Sequence, residues 1–402
     1  MVESTSAPPL EGIRVIEMGS LIAGPFCGQL LADYGAEVIK CEPPEVGDPM
    51  RQWGREKARG RALWWPIIAR NKKSVTLNLR TTEGQELARE LARGADVVLE
   101  NFRPGTMEKW GLGFDALSAL NPGLIMVRVS GFGQNGPYAT RPGYGAIAEA
   151  MGGLRYVVGD PASPPSRVGI SLGDSLAATF ATMGTLLALR SRERTGTGQV
   201  VDAAIYEAVL ALMESLVPEY ALADFVRERS GPILPNVAPS NVYPTKDGAM
   251  VLIAANQDTV FRRLAEAMGR PELGADERYA GHTARGQHQA ELDALIADWT
   301  RTLSAGELTD TLLRHSIPVG QIYRAPEMLA DPHFTERESI ISRPDPDLGD
   351  VPMQNVFPRL AATPGTVRHV GPALGEHNDE VYQGLLGLSR ERYDALRTAG
   401  TI

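Results

Sequence analysis

Residues 12–42, GIRVIEMGSLIAGPFCGQLLADYGAEVIKCE, decide the fold. GIRVIEMG reads as a buried strand and SLIAGP as a loop. FCGQLLADYG then carries apolar residues at helical spacing and stops at Gly35, and AEVIKCE is a second strand. Strand, short helix, strand is the unit of a parallel sheet. Its first loop falls at the carboxyl edge of the strands, where such sheets bind ligands.

The same grammar continues outward. Ser74–Asn78 reads as a strand, and TTEGQELARELARG (81–94) as an amphipathic helix begun by Thr81 or Thr82. ADVVLENFRPG and PGLIMVRVSGFG are two more strand-to-loop transitions, so the first 135 residues read as an α/β domain. Helices are predicted at 145–155 and 174–190, and 198–220 reads as a strand and a long helix. SNVYPTKDGAMVLIAA (240–255) changes character, to an antiparallel hairpin turning at Lys246-Asp247-Gly248. Three helical stretches follow it, which makes 240–330 a small α+β domain. The tail holds a strand signal at VPMQNVFPRL and a helix at SRERYDALRTAG.

The chain's 402 residues suit two domains. A formal charge of -9 argues against non-specific nucleic-acid binding. Cys27 and Cys41 are the only cysteines, too few for a disulfide scaffold or a metal cluster. The segment MVESTSAPPLEG lacks the order of a signal peptide, and no apolar run is expected to reach membrane-spanning length. A cytoplasmic protein is the expectation.

Five of the six lysines fall in the first 110 residues: Lys40, Lys57, Lys72, Lys73 and Lys109. The segments IKCEPP, RNKKS and ENFRPGTMEKWGLG put cations and amides at strand edges. If these converge they suit a phosphorylated ligand; singly, each is as readily a solvated surface group. GSLIAGP lacks the GxGxxG order, and the chain contains no GxxxxGK[ST] or HExxH.

One acidic residue, Asp174, stands in VGISLGDSLAATFATMGTLLALR (168–190). It reads as the cap of an alanine-rich helix. A carboxylate kept ionised by a helix N-terminus is also a nucleophile toward an activated acyl group, and the glycine of LGDS would admit a bulky thioester. Both readings stay open on the residues alone.

Six ordered motifs carry a resemblance over nearly the whole chain. They are LEGIRVIEMGSLIAGPFCGQLLADYGAEVIKCEPP, RNKKSVTLNL, DVVLENFRPGTMEKWGLGFDAL, NPGLIMVRVSGFGQNGPY, GTGQVVDAAIYEAVL and GPALGEHNDEV. The chain resembles the class III coenzyme A transferases, the CaiB/BaiF family. Within that family it is similar to the branch that moves CoA from succinyl-CoA to dicarboxylic acids such as malate, citramalate or benzylsuccinate.

The resemblance implies that Asp174 is the catalytic nucleophile, working through an aspartyl-acyl anhydride and an aspartyl-CoA thioester. It implies no metal and no tightly bound cofactor, with the CoA thioester as substrate. Ala23 and Gly24 match the loop beside the thioester. Lys40, Asn71, Lys72, Lys73, Asn101, Phe102, Arg103 and Lys109 match segments lining the CoA site, and Tyr138 a position near the acyl group. Arg141 and Arg167 are candidates for the distal carboxylate of a dicarboxylic acid.

The implied architecture is a Rossmann-like large domain built from both chain ends plus a small α+β domain, in an interlocked ring-like dimer. Its parts would be 1–200 (N-terminal part of the large domain), 201–230 (helix and linker), 231–330 (small domain), 331–370 (return linker) and 371–402 (C-terminal part on the large domain). A homodimer is implied, with a heteromer of related subunits as the alternative.

Two departures matter. IAANQDTVF (253–261) stands where the best-known member has a glycine-rich closing loop. GPYATRPGYGAIAEAMGG (136–153) lacks the histidine that the related α-methylacyl-CoA racemases carry. Racemase and non-catalytic CoA-binding subunit are the competing readings.

Overall fold

A computed structural model describes residues 7–402. The chain divides into two compact units. The first takes the chain as far as Leu154, with Val168–Pro218 and Glu336–Ile402; the second takes Arg155–Arg167 and Glu219–Thr335.

The first unit is organised by six parallel strands: β1 (Arg14–Glu17), β2 (Glu37–Glu42), β3 (Lys72–Thr76), β4 (Val97–Glu100), β5 (Ile125–Ser130) and β6 (Val200–Ala204). They lie in the order β3-β2-β1-β4-β5-β6, the doubly wound, Rossmann-like arrangement. Helices cover both faces, so strand neighbours bury in opposite directions. Ile16 joins one core with Ile39, Val75 and Met126, while Val15 joins the other with Val38, Val97 and Val127. Such strands read as continuous apolar runs because neither face meets water.

Helix α1 (Ala23–Asp33) connects β1 to β2, and α2 (Thr82–Arg93) connects β3 to β4. Thr81 caps α2, its hydroxyl accepting from the Gly84 N–H at 3.1 Å. After β5 come the short α3 (Gly145–Met151) and the long α4 (Leu172–Thr195). Ala177, Ala178, Ala181 and Ala188 of α4 are buried with the β4 and β5 side chains. Small side chains there let the helix approach the sheet closely.

Contrary to the sequence expectation, α4 is long and apolar enough to cross a membrane by length and composition. Its buried alanines pack one side of it on the sheet, while Met183, Leu186 and Leu187 are exposed in the single chain. The long helix expected within 198–220 is two short ones, Ile205–Leu210 and Leu216–Ala223, separated where Glu214 takes a left-handed φ of 49°.

The C-terminal residues complete the first unit. Tyr382 and Ile402 lie in the same core as Ile16, and the Tyr382 hydroxyl donates to the Thr76 carbonyl at 2.6 Å. The expected helix there is Arg390–Thr398, capped by Ser389. The strand signal at 351 belongs to Gly349–Gln354, paired with Ile340–Asp345.

In the second unit β7 (Ser240–Pro244) and β8 (Met250–Ala254) form the expected hairpin, with β9 (Val319–Gln321) on the far side of β8. Pro244 is tolerated because β7 is an edge strand. Helices α5 (Asp258–Ala267), α6 (Gln289–Thr300) and α7 (Ala305–Arg314) bury Phe261, Ile296 and Leu312 against it.

Candidate active site

The connection from β1 runs to β2 and that from β4 runs to β5, so the loops beyond these neighbouring strands part company. That divergence opens the crevice where sheets of this order hold ligands. Asn101, just past β4, reaches across it. Its Oδ1 accepts from the Ser20 N–H and its Nδ2 donates to the Ser20 carbonyl, both at 2.8 Å. Ala23 and Gly24 open α1 beside it. A Cβ on Gly24 would lie 3.2 Å from Asn101 Cγ, so the absence of a side chain permits the approach. Phe102 packs edge-on to Trp110 with ring centroids 5.1 Å apart. Arg103 and Lys109 are exposed on the segment that follows.

The other expected cations are placed differently. Lys40 and Lys72 are buried, and both grip Glu17, at 2.9 and 2.7 Å. Lys40 also meets Asp48 Oδ2 at 2.8 Å and donates to the Gly19 carbonyl at 2.9 Å, while Lys72 donates to the Pro25 carbonyl at 2.6 Å. Burial lowers the Lys72 ammonium below its ordinary value despite Glu17. Around Lys40, burial is outweighed by Glu17 and Asp48, which raise it. Both ammoniums tie the β1 loop and α1 to the sheet rather than facing a ligand. Asn71 is buried too, donating to Asp33 Oδ1 and the Thr366 carbonyl at 2.8 Å each. Lys73 bridges Glu37 and Glu380 at 2.6 and 2.7 Å.

Asp174 is the third residue of α4, with Ser171 in the capping position, so it sits inside the first turn rather than before the helix. There it still feels the helix's positive end. It is half-buried, and its carboxylate lies beside Gly145 at the start of α3. A Cβ built on Gly145 would stand 2.4 Å from Oδ2 and 2.9 Å from Oδ1. Gly173 differs from its expected use. It faces Glu149 Cγ and Ile205, leaving no room for a thioester on that side, and its N–H donates to Glu149 Oε1 at 3.1 Å.

Tyr138 lines a hollow of about 280 Å³ with Phe132, Met151, Asp202, Tyr206 and Glu207. Arg141 stacks on Tyr138 with its guanidinium carbon 3.6 Å from the ring centre. Arg167 is exposed and belongs to the second unit. Among the described residues no group of three or more His, Cys, Asp or Glu could hold a metal ion.

In the second unit the segment Asn256-Gln257-Asp258 is latched by the buried Arg285. The guanidinium donates to the carbonyls of Asn256, Ala238 and Tyr279 at 2.7, 3.0 and 2.8 Å, and to Asp258 Oδ1 at 2.6 Å.

Sequence reasoning overlooked Glu17, Gly145 and Glu149. An acid inside the apolar run RVIE was the available signal for Glu17. Gly145 and Glu149 acquire meaning only from the packing of α3 on α4.

A doubly wound sheet with a carboxylate beside its carboxyl-edge loops has close counterparts. The pattern defining CoA-transferase family III matches residues 10–378. The chain is 62% identical over 383 residues to the succinyl-CoA–D-citramalate CoA-transferase of Chloroflexus aurantiacus, covering 95% of each. It is 43% identical over 402 residues to the succinyl-CoA–L-malate CoA-transferase beta subunit of the same organism, covering 99% of each. The crystal structure of a CAIB/BAIF family protein from Brucella suis matches with a TM-score of 0.85 at 34% identity, covering 94% of this chain and 100% of that one. The chain belongs to CoA-transferase family III and is an enzyme of the CoA-transferase class.

Proposed function

We propose that the protein moves CoA reversibly from succinyl-CoA to citramalate or a closely related dicarboxylic acid such as malate, with Asp174 as nucleophile. The observation that carries the reading is the placement of Asp174: a half-exposed carboxylate in the first turn of α4, beside the loop beyond β5. The 62% identical relative supports the choice of substrates.

In this mechanism an Asp174 oxygen attacks the succinyl carbonyl carbon, the C–S bond breaks, and CoA leaves as thiolate. The thiolate attacks the aspartyl carbonyl of the anhydride, releasing succinate and leaving an aspartyl-CoA thioester. The acceptor carboxylate then displaces the thiolate to form a second anhydride. Thiolate attack on its acceptor carbonyl yields the new acyl-CoA and restores Asp174. Each step exchanges one activated acyl bond for another.

Ala23, Gly24, Asn101 and Phe102 border the CoA chain, with Arg103 and Lys109 toward its phosphates. Tyr138 and Arg141 lie toward the acyl group. Arg167 is assigned to the distal carboxylate of the dicarboxylic acid. Lys40, Asn71, Lys72 and Lys73 act as supports for these segments.

The working form is an interlocked homodimer in the cytoplasm. Val217, Tyr220, Leu222 and Phe225 support that reading, each 56–87% exposed in the single chain and suited to a partner's cover. A heteromer with a related subunit is the alternative, and the mass of the assembly in solution distinguishes them.

The test is to incubate the protein with succinyl-CoA and a pool of carboxylic acids and identify acyl-CoA products by mass spectrometry. A new thioester matched by released succinate supports the reading. Normal turnover by Asp174→Asn would sink the nucleophile assignment.

A further inference from the structure

We infer that helix α3 is a clamp that fixes the Asp174 carboxylate, with Gly145 and Glu149 as positioning residues one helical turn apart. The inference rests on Asp174 being the nucleophile. Residues four apart lie on one face of a helix, so both can meet the same neighbour.

Gly145 is buried, and its missing Cβ would lie 2.4, 2.7 and 2.9 Å from Oδ2, Cγ and Oδ1 of Asp174. The carboxylate therefore occupies the space that a side chain at 145 would take. Any side chain at 145 must push that group out of its place.

Glu149 works on the preceding residue. It is 1% exposed, and its Oε1 takes the Gly173 N–H at 3.1 Å. That N–H belongs to the first turn of α4, where the helix supplies no carbonyl partner. A Cβ on Gly173 would fall 3.0 Å from Glu149 Cγ and 3.4 Å from the Gly145 carbonyl, so α3 and the first turn of α4 meet backbone to backbone. Neither the turn nor the carboxylate can shift without breaking one of these contacts.

Attack on a thioester demands close alignment, and a misplacement of about 1 Å costs on the order of 100-fold in rate. Gly145→Ala should therefore lower kcat by about that factor, while affinity for free CoA by calorimetry stays within about twofold. Glu149→Ala should lower kcat in the same direction, and Glu149→Gln, which keeps the acceptor oxygen, should recover most of it. Wild-type kcat in both Gly145→Ala and Glu149→Ala would overturn the clamp.

A stability cycle tests the contact without turnover. Gly145→Ala should depress the thermal midpoint in the parent protein but not in an Asp174→Ala background, where the obstructing carboxylate is gone. Equal depression in both backgrounds would overturn the clamp. Asp174→Asn run alongside separates the two ideas: if it turns over normally, the nucleophile assignment fails while the measured coupling between 145 and 174 stands.

Discussion

Asn101 binds Ser20 by both backbone groups, accepting from its N–H and donating to its carbonyl at 2.8 Å each. One amide thus joins the two loops that diverge at the centre of the sheet. The β1 loop is held from above by Asn101 and from below by Lys40, which donates to the neighbouring Gly19 carbonyl.

Asn101→Asp keeps the shape but replaces the donor with an oxygen facing the Ser20 carbonyl. We expect it to raise KM for acyl-CoA more than Asn101→Ala, because repulsion is added to the lost hydrogen bonds, each worth about 1 kcal/mol. Steady-state kinetics of the two variants side by side decides this; an unchanged KM in both would show that the loop holds without the amide.

Glu17 is the shared partner of two buried ammoniums. Glu17→Gln leaves Lys72 with a carbonyl but no carboxylate, and breaking a buried ion pair from one side costs about 3–5 kcal/mol. The thermal midpoint should fall by several degrees. A midpoint equal to the parent's would mean that Lys72 releases its proton at little cost.

Acid should unfold the first unit through its paired carboxylates. Burial pushes Glu37 up, but hydrogen bonds from Lys73 and Arg14 outweigh it and hold the group below its ordinary 4.5. Asp48 is likewise held below 3.8, with Lys40 overcoming burial. A depressed carboxyl adds stability that is full above the unfolded-state value and disappears as pH falls through the folded-state value. Thermal midpoints should therefore decline below pH 4.5, and Glu37→Gln should flatten the upper part of that decline. An identical acid profile in the variant would count against the pairing.

Both thiols are expected to be silent. Burial pushes Cys27 and Cys41 up to about 12, far from the thiolate range. Iodoacetamide at neutral pH should leave the folded protein unmodified and fully active, with both cysteines labelled only after denaturation. Rapid labelling of the native protein would contradict the burial of α1 and β2.

The β1–α1–β2 unit is legible in the sequence because strands covered on both faces leave apolar runs, and Gly35 marks the stop. Thr81, Ser304 and Ser389 announce helices because each hydroxyl satisfies a backbone N–H within its own segment. Long-range placement is not legible in that way. Lys72 and Lys73 are adjacent, yet one turns inward to Glu17 and the other outward to Glu37 and Glu380, a residue more than three hundred positions away. Alternation along a strand says that they oppose each other, not which one is covered. Asp174 has the same difficulty: an acid at a helix start reads as a cap until Gly145 is known to lie against it.

The first unit draws on both extremes of the chain, with Tyr382, Tyr393 and Ile402 in the same core as Ile16 and Met18. During synthesis, the strands made early therefore wait with part of one face uncovered until residues 382–402 have left the ribosome. The second unit has a core confined to residues 243–317, so it can settle while the sheet that precedes it is still incomplete.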